Sequence, residues 1–260
     1  MSPSEFLRSQ WDIDGLIEPS DTVLLHSNVF PALMKLRQAG YAPEPENVLT
    51  ALIDLWPNGT VLLPTFNFGF AAGEPYDLKT VPSQMGRISE IARHMKESVR
   101  TWHPLYSFCV IGNRSSEFEN LRNRSGLGAD SPFELLREIG GKIGFLDIQV
   151  EECLTFVHHV EETEGVNYRY LKSFSGKYSG DGQIFTDETF EMFVRDIENN
   201  VVTDISGLAR FLSEQRLFLG SRRYAGNGLA LIDSNLLYNT VSEIIQTDRS
   251  EGMLYQRNAK

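Results

Sequence analysis

The strongest constraint on this chain is a rhythm: up to about residue 150, short β-branched runs alternate with stretches of helical periodicity. Residues 22–26 form a buried-strand run behind the turn signal Pro19-Ser20-Asp21. Residues 47–56 carry helical spacing and are stopped by Pro57-Asn58-Gly59, and residues 60–64 then read as a second strand. A helix is expected over 87–95, led by Ser83, and a third strand over 106–111, closed by Gly112-Asn113. Ser131-Pro132-Phe133-Glu134 combines a capping hydroxyl, a proline suited to the first helical position and a glutamate placed to complete a capping box. The helix it opens, 133–139, stops at Gly140-Gly141 before a fourth strand over 142–147. Strands separated by helices pair in parallel, which predicts an α/β fold with a central, mostly parallel sheet and helices on both faces.

From Tyr168 onward the pattern changes. Residues 172–185 read as an antiparallel hairpin turning at Gly180-Asp181-Gly182, so a β-rich insertion is expected over 168–200. Helices over 205–215 and 235–245 bracket a strand at 229–232. Without repeats, low-complexity stretches or linkers, residues 1–260 are expected to form one domain.

Composition narrows the partners. No apolar run approaches the roughly 18 residues that span a bilayer, and the N-terminus lacks the basic-then-apolar pattern of a signal peptide. A net charge of −11 argues against nucleic acid and suits either a solvated surface or a cationic substrate. Cys109 and Cys153 show no metal-ligand spacing and read as reduced core thiols, which predicts a cytoplasmic protein.

The chain has five histidines. His94, between Arg93 and Lys96 on the helix side, is expected at the surface, where it reads as one more polar group of a solvated face. His26 ends the first strand at the edge where open α/β sheets place ligands, and His103 enters from the opposite edge or a loop; a histidine at a strand end is more often structural, so both stay unassigned. His158 and His159 sit in Glu151-Glu-Cys-Leu-Thr155-Phe-Val-His158-His159-Val-Glu161-Glu162. On a helix, Thr155 and His158 share a face and Glu161 or Glu162 lies one turn on. A carboxylate on one imidazole nitrogen fixes the tautomer and raises basicity, while a hydroxyl can stabilise an oxyanion. Spacing alone leaves the two histidines interchangeable, the two glutamates equivalent, and a solvated acidic helix as the bland alternative. A metal site is disfavoured, with no His-Glu-x-x-His present.

Five segments in order resemble the aminoglycoside 3-N-acetyltransferase family, also called the antibiotic N-acetyltransferase family. They are Asp21-Thr-Val-Leu-Leu-His26-Ser27, Gly59-Thr-Val-Leu-Leu-Pro64-Thr65, Pro82-Ser83-Gln-Met-Gly86 leading to Arg100-Thr-Trp-His103-Pro104-Leu-Tyr-Ser107, Gly126-Leu-Gly128-Ala-Asp-Ser131-Pro132, and Thr155-x-x-His158-x-x-Glu161. The resemblance implies an acetyl-CoA-dependent N-acetyltransferase that works through a ternary complex, with His158 as base, Glu161 orienting it and Thr155 near the oxyanion. It implies an acyl-CoA site near Ser27, Thr65, Ser83, Arg100, His103 and Ser107, no metal, and acetyl-CoA with a small amino-sugar substrate as partners; whether the chain is monomeric or a homodimer stays open. Asn28-Val-Phe departs from the family after His26-Ser27, and residues 168–172 and 192–196 look more like relatives associated with polysaccharide and amino-sugar biosynthesis. A nucleotide-linked or polysaccharide-precursor amino sugar is therefore the expected acceptor, with Arg169, Lys172, Lys177, Arg222 and Arg223 as candidate diphosphate contacts. The alternatives are an aminoglycoside acceptor, a non-catalytic binding relative and a metal-dependent hydrolase. Arg223-x-x-Gly226-x-Gly228 fits the pyrophosphate signature of the other large acetyltransferase superfamily, but a strand-like run follows where that signature needs a helix, so it is rejected.

Overall fold

The computed structural model describes residues 1–11, 15, 17–220 and 228–257. Its strands are β1 (Thr22–Ser27), β2 (Thr60–Pro64), β3 (Tyr76–Asp77), β4 (Val99–Arg100), β5 (Phe108–Gly112), β6 (Lys142–Leu146), β7 (Arg169–Ser179), β8 (Thr186–Arg195), β9 (Val201–Thr203), β10 (Leu229–Asp233) and β11 (Tyr255–Arg257). Six of them build the central sheet in the order β10-β6-β1-β2-β5-β4. The middle three, β6, β1 and β2, are parallel, while β5 pairs antiparallel with both β2 and β4, and β10 antiparallel with β6. Four of the six strands thus run one way, and the expected α/β class with a mostly parallel sheet holds.

Both faces of the sheet are covered, because successive side chains on a strand point to opposite sides. Leu24, Leu62, Val110 and Ile143 pack with Phe133, Phe156, Val160 and Leu237 in one core. Their neighbours Val23, Leu25, Val61, Leu63 and Cys109 pack with Leu36, Leu52 and Ile88 in the other. The helices Pro132–Glu138, Phe156–Glu164 and Ser234–Gln246 therefore lie on one face, and Phe30–Gln38, Pro45–Ile53 and Arg87–Arg93 on the other.

Three expectations need correction. The third strand does not continue the parallel rhythm: β5 reverses against β2, because the chain between them forms β4 and turns back along the sheet edge. His103, expected at the opposite edge or in a loop, consequently lies in the loop that enters at the same edge as His26. The capping box at Ser131 is half made: the Ser131 hydroxyl accepts from the Glu134 N–H, but the Glu134 carboxylate is drawn to Arg137 and His159 instead of back to the cap. The hairpin is present with longer arms, β7 and β8 pairing from Arg169↔Arg195 to Tyr178↔Thr186. Asp181 Oδ1 accepts from the N–H groups of Gln183 and Ile184, and Gly182 supplies the positive φ of 79° that the loop needs. With β3 these arms form a separate three-stranded sheet, anchored by Tyr178 and Phe190 in the first core. Among the described residues no helix is long and apolar enough to cross a membrane.

Candidate active site

The parallel strands β1, β2 and β6 end at one edge of the central sheet, and β5, being reversed, begins there. That edge collects Ser27, Thr65, Tyr106 and Ser107, although they lie up to 80 residues apart in sequence. A cavity of about 310 Å³ opens on it, walled by Leu25, Phe66, Met85 and Ile148 and carrying the polar groups of Ser27, Thr155 and His158. A second cavity of about 390 Å³ lies on the hairpin side, and the two share Phe68, Tyr106 and His158. His158 therefore stands where two ligands approaching from opposite sides would meet.

Helix geometry explains why His158 and not His159 is there. The helix Phe156–Glu164 buries Phe156, Val157, His159, Val160 and Glu161, leaving His158 half-buried at the cavity junction. Its N-cap is Thr155, which lines the first cavity, and Gly165, with φ of 64°, ends it. His159 faces the core, its Nδ1 against the Leu127 carbonyl at 2.6 Å and its Nε2 against Glu134 Oε2 at 3.0 Å. With both nitrogens engaged, it has none to offer a substrate. The choice between these histidines, open on spacing, is made by one 100° step around a helix.

His158 Nδ1 lies 2.6 Å from Glu161 Oε2, which leaves Nε2 free. The same Glu161 oxygen lies 2.7 Å from Arg169 Nε, and both members of that ion pair are buried. Glu162 is turned away onto the Ser125 hydroxyl at 2.9 Å. Burial pulls the His158 pKa below the ordinary histidine value, and the Arg169 charge pulls it further, against the opposing pull of Glu161. The carboxylate neighbour does raise basicity as expected, but burial and the Arg169 charge outweigh it. The ring is therefore neutral at neutral pH, able to accept a proton at Nε2.

The residues expected at an acyl-CoA site divide into two groups. Ser27 lines the first cavity. Ser83 does not line it; it lies in the loop before the helix Arg87–Arg93, its N–H donating to Glu90 and its hydroxyl accepting from the N–H of the cavity-lining Met85. Thr65, Ser107 and Arg100 form a polar network behind the wall. The Ser107 hydroxyl donates to the Thr65 carbonyl at 3.0 Å, and the Arg100 guanidinium donates to Ser107 and to the carbonyls of Thr65, Leu78 and Val81. His103 is wholly buried, its Nδ1 accepting from the N–H groups of Leu105 and Tyr106, and burial drives its pKa down to about 3. None of these four lines either cavity: the side-chain bonds of Thr65, Arg100 and Ser107 are made within the cavity's edge, while His103 Nε2 is buried without a partner. His26, left unassigned by sequence, lines the first cavity with Nε2 buried and unpartnered, its ring stacked on Phe145 and its pKa pushed down to about 4. Cys153 stands in the cavity wall, not the core.

Of the basic residues proposed for a diphosphate, Lys177 pairs with Asp187, and Arg169 is buried on Glu161. Arg222, Arg223 and Gly226 lie outside the described residues; Gly228 leads into β10, a strand. Sequence gave no signal for Arg169 as the partner of Glu161, nor for Phe68 and Tyr106 at the junction, because each contact joins distant segments. Among the described residues, no three His, Cys, Asp or Glu side chains converge as a metal site requires.

Comparison with known proteins follows the same lines. A family model described as Antibiotic_NAT, aminoglycoside 3-N-acetyltransferase, matches residues 33–246. Among solved structures, AAC-IIIb in a binary complex with CoASH is 17% identical, covering 100% of this chain and 99% of that one at a TM-score of 0.75. Aminoglycoside acetyltransferase AAC(3)-Xa is 20% identical, covering 94% of this chain and 92% of that one at 0.74. The YokD protein from Bacillus subtilis is 18% identical, covering 95% and 94% at 0.74. At such identities the likeness establishes a common fold. No curated protein sequence matches the chain.

Proposed function

The chain belongs to the aminoglycoside 3-N-acetyltransferase family, and from that premise we propose that His158 serves as general base for transfer of an acetyl group from acetyl-CoA to the amine of a small amino sugar. The observation that carries this reading is the position of His158: its free Nε2 stands at the junction of two cavities while Nδ1 is held by Glu161.

The first cavity suits the acyl donor. Its walls mix apolar side chains with polar ones, among them the buried and unpartnered His26 Nε2 and the Ser27 hydroxyl, which would meet an amide of the pantetheine arm. Acetyl-CoA supplies the acetyl group as an activated thioester. His158 Nε2 takes the proton lost by the acceptor nitrogen as its new bond to the acetyl carbon forms, and returns it to the sulfur as the carbon–sulfur bond breaks. Glu161 fixes the tautomer by receiving the Nδ1 proton and stabilises the imidazolium while it exists. The Thr155 hydroxyl, now only loosely held by the Cys153 carbonyl at 3.3 Å, is placed to donate to the oxygen on which charge develops.

Of the two acceptor classes, aminoglycosides have the support of the family's description, and a nucleotide-linked sugar has no counterpart in the comparisons. His158→Ala tests the assignment through thiol release from acetyl-CoA. A loss of roughly 10²–10⁴ in kcat is expected for a general base, with CoA binding retained; undiminished turnover would overturn it.

A further inference from the structure

The hairpin-side cavity has a charge that the family's name does not anticipate. Among the described residues three cationic side chains line it, Arg169, Lys172 and Arg195, and no aspartate or glutamate does. We infer that this cavity is a subsite for an acidic group on the acceptor, so that the preferred acceptor is an amino sugar bearing a phosphate or a carboxylate. The inference rests on the acetyltransferase reading for its chemistry, but its evidence lies in a different cavity wall.

Arg169 is already spent, since Glu161, the Phe193 carbonyl and the Thr203 hydroxyl occupy its guanidinium. Lys172 and Arg195 are exposed, and neither has an ion pair among the described residues. Lys172 lies over the Phe174 ring at 5.3 Å from its centroid, which keeps the ammonium at the cavity wall. The Arg195 charge is felt at His158, whose pKa it helps to lower. The carboxylates nearby are turned elsewhere: Glu191 to Arg124, Glu162 to Ser125 and Asp196 to Asn199.

The register adds an independent observation. Arg169 and Arg195 are direct partners across β7 and β8, and like charges directly opposite one another destabilise an antiparallel pair. Glu161 neutralises only the Arg169 member. A chain with 35 acidic and 24 basic residues has carboxylates to spare, yet among the described residues none is set against Arg195 or Lys172. An anionic group entering beside His158 would complete the pairing, whereas an aminoglycoside would bring several ammonium groups into a cavity where no carboxylate among the described residues receives them.

The test uses the full chain with glucosamine, glucosamine 6-phosphate, glucosaminuronate and kanamycin as acceptors, following thiol release. Calorimetric binding of glucose 6-phosphate against glucose, with CoA present, supplies a readout free of turnover. The expected result is kcat/KM roughly tenfold or more higher for an acidic amino sugar than for glucosamine, weakening with salt; whichever acid leads identifies phosphate or carboxylate. Charge reversal by Lys172→Glu with Arg195→Glu should abolish that preference and improve kanamycin, while Lys172→Arg and Arg195→Lys should keep it. Equal use of acidic and neutral sugars, or a kanamycin preference untouched by charge reversal, would overturn the inference. If no amine is acetylated but glucose 6-phosphate still binds better than glucose and loses that advantage on reversal, the subsite stands and the transferase reading fails.

Discussion

Replacing Glu161 with Gln separates the two things this residue does. Its Oε2 faces His158 Nδ1 at 2.6 Å and Arg169 Nε at 2.7 Å, and its Oε1 is buried without a partner. Glutamine keeps the shape and one acceptor, but it removes the charge and places an amide N–H₂ where no acceptor waits. Arg169 is then a buried cation without its counter-ion, a defect that costs about 3–5 kcal/mol. In a chain of this size about 2–4 °C is lost per kcal/mol, so the melting temperature should fall on the order of 10 °C. The imidazolium formed during transfer also loses its partner, and kcat should drop by roughly 10²–10⁴, equivalent to about 3–5 kcal/mol of barrier. Because Glu161 is among the influences that hold the His158 pKa up, the acid limb of the kcat/KM profile should move to lower pH. The companion variant Glu161→Gln with Arg169→Met removes the orphaned cation. Its melting temperature should recover much of the loss while its rate stays low. Thermal melts and thiol-release kinetics on all three proteins decide the matter. A Glu161→Gln enzyme that melts early but turns over at the wild-type rate with an unmoved pH profile would refute the orienting role and leave Glu161 as a structural counter-ion.

Two further outcomes follow from the same geometry. A Cβ at Gly126 would come within 2.5 Å of the Tyr106 ring and 3.0 Å of His103, so Gly126→Ala should cost about 1–3 kcal/mol of stability by overpacking. It should also raise KM by pushing Tyr106 into the junction; an unchanged KM with normal stability would refute this close fit. His26 and His103 are held neutral by burial, with pKa values lowered to about 4 and about 3, and His158 and His159 are shifted in the same direction. The unfolded chain therefore binds protons near pH 6.5 that the folded chain refuses, and stability should fall as pH drops from about 6.5 toward 4, by up to about 2.7 kcal/mol per pH unit from His26 and His103 alone. Denaturant midpoints that stay level or rise between pH 7 and pH 5 would contradict that burial.

The sequence by itself determined five of the six strands of the central sheet, the long hairpin and much of the edge on which the site lies, but not the helix Phe30–Gln38 or the short strands β3, β4, β9 and β11. The continuous apolar runs of β1 and β2, the Pro and Gly stops, and the turn at Gly180-Asp181-Gly182 are local signals, because backbone preferences and residue type act over a few residues. The ordered motifs also picked out Ser27, which open α/β sheets bring to one edge as a strand end, and Thr155, His158 and Glu161, which one helix and its cap hold within a turn or two of each other.

What only the tertiary structure decided involves direction, charge and distance across the chain. The reversal of β5 brought His103 to the site's edge, and no local pattern distinguishes a parallel strand from an antiparallel one buried on both faces. Burial of the ring, with Arg169 reaching Glu161 from the hairpin, lowers the His158 pKa against the upward pull of Glu161. Thr65, Arg100 and Ser107 match the family's pattern in sequence, yet their hydrogen bonds are spent within the wall. A residue type announces which bonds it can make; which partner receives them depends on segments that only folding brings within 3 Å.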